Sequence, residues 1–175
     1  MWKWKAIVTG SLGILALTLV GHAAQQTRTG KTTLTAQDEA EIRELSVRYA
    51  RALGLCQADE YAKVFAADGF YSSSEFTGAT HREMYGPNGG KINRSDMTRF
   101  VMSEPQCAKA ESPKTPRDAP ANIVIHPTRD GALATIPLAN GARYEDRYVK
   151  TPDGWRIQSR EHVRAGQQAF STRTQ

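Results

Sequence analysis

Apolar side chains fall at Ile42, Leu45, Tyr49, Ala52 and Leu53, three or four positions apart, while Glu41, Arg43, Glu44, Arg48 and Arg51 fill the positions between them. That spacing gathers one stripe on one side of an α-helix, so the segment predicts an amphipathic helix buried along the stripe. Thr35, followed three residues later by Asp38, is placed to satisfy the free N–H groups of its first turn. Gly54 ends it by accepting backbone angles that other residues resist. A second, short helix is expected over residues 58–65, with Tyr61, Val64 and Phe65 as its apolar positions and a turn at Asp68-Gly69 behind it. Residues 70–76 read as a strand, and Ser95 is placed to cap a third helix through Met97, Phe100 and Val101.

Beyond that point the pattern changes. Residues 121–126, 132–137, 141–150 and 155–164 are apolar or alternating runs, separated by turns at Arg129-Asp130-Gly131 and Thr151-Pro152-Asp153-Gly154. Two stretches lack either period: residues 81–93, which hold Gly86, Pro87, Asn88, Gly89 and Gly90, and residues 103–120, which hold four prolines. Both read as loops, and a loop as long as the second is often functional. Helices first and antiparallel strands afterwards define an α+β fold. In strand 141–150, Tyr144, Asp146 and Tyr148 share one face and Arg143, Glu145 and Arg147 the other. The first set is expected to face inward, with Asp146 pairing to Arg160 on the next strand.

The two ends change the picture of charge and compartment. Lys3 and Lys5 precede an apolar run over residues 6–20, followed by Gly21, Ala23 and Ala24. This pattern is a bacterial-type secretory signal, cleaved near Ala23 or Ala24, and it predicts a secreted or periplasmic protein; an uncleaved inner-membrane anchor is the rival. The domain plan is therefore a signal peptide at 1–24, a linker at 25–33, one domain at 34–166 and a flexible tail at 167–175. Loss of the leader removes two lysines and no acid, so the net charge of +5 falls to about +3. The remaining arginines alternate with acids, which argues against a nucleic-acid surface. Cys56 and Cys107 form a disulfide in an oxidising compartment or stand as two buried thiols, and export favours the bridge. No CxxC occurs, and His81, His126 and His162 show no metal-ligand spacing, so neither a metal nor a cofactor is expected.

Four stretches, "LTAQDEAEIRELSVRYARAL", "EYAKVFAADGFY", "ANIVIHPTRDGALA" and above all "GARYEDRYVKTPDGWRIQSR", resemble the SnoaL-like branch of the NTF2-like superfamily across residues 34–164. The resemblance implies a curved antiparallel sheet with N-terminal helices closing a cone around a pocket, and a homodimer formed through the sheet. Enzymes of that group, such as ketosteroid isomerases and dehydratases, move protons on ring-containing substrates without a cofactor. Tyr49 matches a pocket tyrosine, whereas the usual catalytic aspartate falls on Gly54 and the usual histidine on Asp118. Asn122 and Arg164 match substrate-binding positions of the dehydratases. The candidate set is thus Tyr49 and Asp118 for catalysis, with Asn122, Tyr71, Tyr144, Asp146, His162 and Arg164 for substrate binding. Two functions follow: a lyase or isomerase acting on a ring-containing hydroxy or keto compound, or a non-catalytic exported module that holds a small apolar or ring-containing ligand. A role in assembly through the open sheet face is the third.

Overall fold

The computed structural model describes residues 33–73 and 90–168. The predicted leader, most of the linker, the 74–76 end of the first predicted strand, most of the 81–93 loop and the last seven residues lie outside the described residues. Helix α1 runs Ala36–Gly54, with Thr35 at its N-cap and both halves of the capping box formed with Asp38. Its predicted stripe is the buried one: Ile42, Leu45, Tyr49, Ala52 and Leu53 are each at most 5% exposed. Helix α2 spans Ala58–Lys63, α3 Met97–Ser103 behind a 3-10 turn at Arg94–Asp96, and α4 Pro105–Ala108. The last of these lies in the stretch read as loop; Pro105 at its first turn lacks the N–H that a helix start leaves unbonded anyway.

The strands are β1 Phe65–Ser73, β2 Lys91–Asn93, β3 Val124–Thr128, β4 Gly131–Pro137, β5 Arg143–Thr151 and β6 Gly154–Val163. They form one curved sheet in the order β2-β1-β6-β5-β4-β3. Every pairing is antiparallel except β1 with β6, which is parallel. β1 begins earlier than the apolar pattern suggests. Asp68-Gly69 is an irregularity inside the strand, between the Phe65 and Phe70 pairings, and not a turn before it. A Cβ at Gly69 would stand 2.8 Å from the Ile157 carbonyl oxygen, so only glycine lets β1 pass β6 this closely. α1, α2 and α3 share one core with the inner sheet face through Tyr49, Tyr61, Phe65, Met97, Phe100, Tyr148 and Ile157.

Cys56 and Cys107 form a disulfide, with Cα atoms 5.6 Å apart, that ties the end of α1 to α4. At its other end, α1 is fastened to the β5–β6 hairpin by Asp38, whose carboxylate accepts from Trp155 Nε1 at 2.8 Å and Lys150 Nζ at 2.6 Å. Among the described residues, no helix is long and apolar enough to cross a membrane.

Candidate functional site: a buried charge pair in an aromatic layer

Register places the site. Arg160 on β6 stands beside Tyr71 of β1 on one side and Asp146 of β5 on the other. The next inward-facing row along the strands sets His162 between Ser73 and Tyr144. Because side chains alternate along a strand, both rows point to the same face.

Arg160 is 1% exposed and Asp146 3%. The guanidinium donates to the carboxylate through Nε at 2.9 Å and Nη2 at 2.6 Å, and Nη2 also reaches Ser46 Oγ on α1 at 3.2 Å. The Tyr148 hydroxyl donates to the same carboxylate. Two rings flank the cation: its Cζ lies 4.1 Å from the Tyr49 centroid and 4.6 Å from that of Tyr144. Aromatic faces carry negative charge density and attract a cation placed over them. Burial pushes the Arg160 guanidinium down, but the Asp146 carboxylate outweighs it and holds it well above the ordinary arginine value. A buried ion pair of this kind adds little net stability, because desolvation offsets the Coulomb gain; breaking it costs about 3–5 kcal/mol.

Tyr49 is buried and accepts a hydrogen bond from the Tyr61 hydroxyl at 3.2 Å. Burial first, and the nearby Tyr144 second, push its hydroxyl well above the ordinary tyrosine range. It is therefore a neutral hydrogen-bonding group at any physiological pH and a poor base. Burial does the same to Tyr61 and Tyr71. Tyr144 and His162 are half-buried, with their rings 5.7 Å apart, and His162 Nδ1 lies 3.3 Å from Ser73 Oγ.

The fold thus brings Tyr49, Tyr144, Asp146 and, in the adjoining row, His162 into one neighbourhood, with Tyr71 beside Arg160. Asp118, Asn122 and Arg164 are exposed, the first two on the connection before β3 and the third just past β6. Arg117, the neighbour of Asp118, pairs instead with Glu104 at 3.6 Å. The same connection packs against Gly54, the position where the resemblance expects an aspartate. A Cβ on Gly54 would overlap the Thr115 carbonyl oxygen and stand 2.6 Å from the Arg117 nitrogen. Backbone occupies the space that a side chain at this corner would need. Sequence reading named Arg160 only as a partner of Asp146 and missed Ser46 and Tyr61. Tyr61 was legible as an apolar helix position, but nothing local shows that its hydroxyl meets Tyr49.

A separate groove of about 400 Å³ lies between α1 and the β5–β6 turn, with Gln37, Glu41, Arg48, Trp155 and Arg156 among its walls. It contains none of the predicted site residues. Its charged side chains are partly or fully exposed, and such groups orient a ligand far less firmly than buried ones do. The aromatic layer is the better candidate.

Helices packed on one face of a curved, mostly antiparallel sheet, with a polar centre set in an aromatic inner layer, define an NTF2-like α+β cone. The chain belongs to the SnoaL-like domain family, whose model matches residues 34–161. Among solved structures it is similar to a Nostoc punctiforme protein of unknown function with a cystatin-like fold, at a TM-score of 0.53 and 20% identity over 74% of this chain and 92% of that one. An NTF2-like protein with a cystatin-like fold from Novosphingobium aromaticivorans gives 0.53 at 17% identity, over 79% and 90%. A Kribbella flavida protein gives 0.50 at 20%, over 78% and 95%. Likeness at these identities carries the fold alone. None of the curated proteins matches the chain.

Proposed function

We propose that the protein is an exported binding module that holds a small ring-containing molecule against the Tyr49, Tyr144 and Arg160 layer without converting it. The observation that carries this reading is the fate of the carboxylates. Proton-transfer chemistry needs a base within hydrogen-bond reach of the substrate. The family position for one is Gly54, backed by the 115–117 backbone. Asp146, the carboxylate of the aromatic layer, is committed to Arg160 and Tyr148. Asp118 is exposed and makes no hydrogen bond or ion pair among the described residues. Flat aromatic walls with a few fixed polar groups suit retention of a ring compound. Half-buried Tyr144 and His162 mark the side from which it would enter, and Asn122 and Arg164 stand as outer contacts.

The lyase or isomerase reading keeps Tyr49 as a neutral donor to a substrate oxygen and requires Asp118 or His162 to take the proton. Export is supported by the Lys3, Lys5 and apolar 6–20 leader together with the disulfide. A homodimer through the outer sheet face fits the exposed Val124 and Leu133 there.

Native mass spectrometry of the mature protein from its own host tests the binding reading. One ring-containing compound per chain is expected. Protein that emerges empty, and that retains nothing from a host extract, contradicts it.

A further inference from the structure

We propose that the Cys56–Cys107 bridge is a thiol-exchange site: a dithiol opens it at the Cys56 sulfur, and opening it frees residues 109–119 from the end of α1. The proposal goes beyond the small-molecule reading above and does not depend on it.

The two ends of the bridge are unlike. Cys107, on α4, is 5% exposed, whereas Cys56 is only half-buried. Cys56 has a φ of 58°, in the left-handed region that favours glycine. It takes that conformation because it closes α1. Its N–H donates to the Leu53 carbonyl at 3.3 Å and that of Gln57 to the Ala52 carbonyl at 2.8 Å, the two bonds of a Schellman cap. Glycine suits such a position better on backbone grounds, so what a cysteine adds there is its sulfur. The Cys56 sulfur is the end open to an incoming thiolate. Cys107 Sγ lies 4.0 Å from the Leu53 carbonyl oxygen, an acceptor for the S–H that reduction would create. The released Cys107 thiol therefore has a buried place to stay, as a small apolar side chain with a weak donor.

A thiolate of the dithiol attacks Cys56 Sγ, the disulfide bond breaks, and Cys107 leaves with the electron pair and takes up the proton that the reagent gave up. The second thiol then displaces Cys56, so the reagent is oxidised to its own disulfide and the protein holds two thiols. What the bridge held is residues 109–119, exposed apart from half-buried Ser112 and Ala119. Among the described residues, their one link to the rest of the chain by hydrogen bond or ion pair is Arg117 with Glu104 at 3.6 Å, and a pair this exposed contributes little. Yet the backbone of the segment lies directly on Gly54, with the Arg117 nitrogen 2.6 Å from where a Cβ would stand. It is fixed there from its two ends: by the bridge at Cys107, and beyond residue 119 by the Arg43 bond to the Ile123 carbonyl at 3.0 Å. Without the bridge, α4 is a single turn of four residues, too short to hold its place by itself.

Limited trypsin digestion of the mature protein with and without dithiothreitol, alongside iodoacetamide labelling of the reduced chain, tests this. Reduction is expected to leave the domain folded and to speed cleavage after Lys109, Lys114 or Arg117 at least about tenfold, with the helices and strands uncut. Cys56 should take the label at least about tenfold faster than Cys107, and glutathione, a monothiol, should be trapped on Cys56. Cys56→Gly, which keeps the helix cap and lacks the bridge, should show the fast cleavage without reductant and no further gain with it. An unchanged cleavage rate after reduction, a faster label on Cys107, or a bridge that resists dithiothreitol in the folded protein each overturns the proposal. Cleavage throughout the chain does so too, since the bridge would then hold the whole domain and not one segment of it. If Cys56→Gly fails to fold, reduction of the native protein alone decides.

Discussion

Gly54 shows how a single residue can be fixed by backbone far away in the chain. The resemblance expects an aspartate here, and the 115–117 backbone, some sixty positions away, packs against the end of α1 where its side chain would stand. Overpacking a close-packed site usually costs about 1–3 kcal/mol. Gly54→Ala is therefore expected to destabilise the domain by about that amount, read from urea denaturation, and Gly54→Asp by at least as much. An unchanged midpoint for Gly54→Ala would mean that the 115–117 segment yields freely. Tyr49 and Asp146 were legible because each sits on an element with a fixed period, which assigns a face. Asp118 and Asn122 sit on a connection without a period, so their exposure was not. Arg160 is the instructive case: an arginine on a strand reads as a surface residue until its acid is found on the facing strand.

At the scale of elements, α1 and the four C-terminal strands were legible in outline, since a capping box, an unbroken apolar stripe and two glycine-bearing turns all agree there. Gly131 and Gly154 do have positive φ in the structure, at 158° and 95°, and Gly154 at least needs glycine for it. The second helix and β1 were divided wrongly because Asp68-Gly69 looks locally like a turn. It becomes a bulge only when β6 lies alongside, which local sequence does not encode. The fastening of α1 to the hairpin was likewise hidden, because Asp38 reads as a cap and its second role depends on Lys150 and Trp155. Bonds from Lys150, Trp155 and Thr35 hold its carboxyl well below the usual carboxylate range. A carboxyl depressed in this way stabilises the fold fully above about pH 4, where the unfolded group is ionised, and loses that contribution as acid protonates it. The stability gap between the native protein and Asp38→Asn should therefore hold from neutral pH down to about pH 4 and narrow as pH falls below that. Denaturation midpoints across that range would show it, and a gap that stays constant would place the role of Asp38 outside its charge.

For the whole molecule, the sheet order was the least legible feature. β1 is separated from β6 by more than eighty residues, and their parallel pairing sets Tyr71 and Ser73 beside Arg160 and His162. The family resemblance supplied the fold as a unit where residue patterns supplied only its pieces. The disulfide closes the same assembly by joining α1 to α4 beside the connection that covers Gly54. Taken together, the fold presents an aromatic interior in which a buried carboxylate is bound by a buried arginine. The measurement that tests this most directly is deuterium incorporation into the bound ring compound, or a ring ketone that the protein binds, during incubation with stoichiometric protein in heavy water. Acid–base chemistry on such a ligand would exchange carbon-bound hydrogens at activated positions faster than buffer does. The account predicts exchange at the buffer rate and a ligand recovered unchanged. Protein-dependent deuteration, abolished in Tyr49→Phe or Asp118→Asn, would contradict it and make the protein an enzyme.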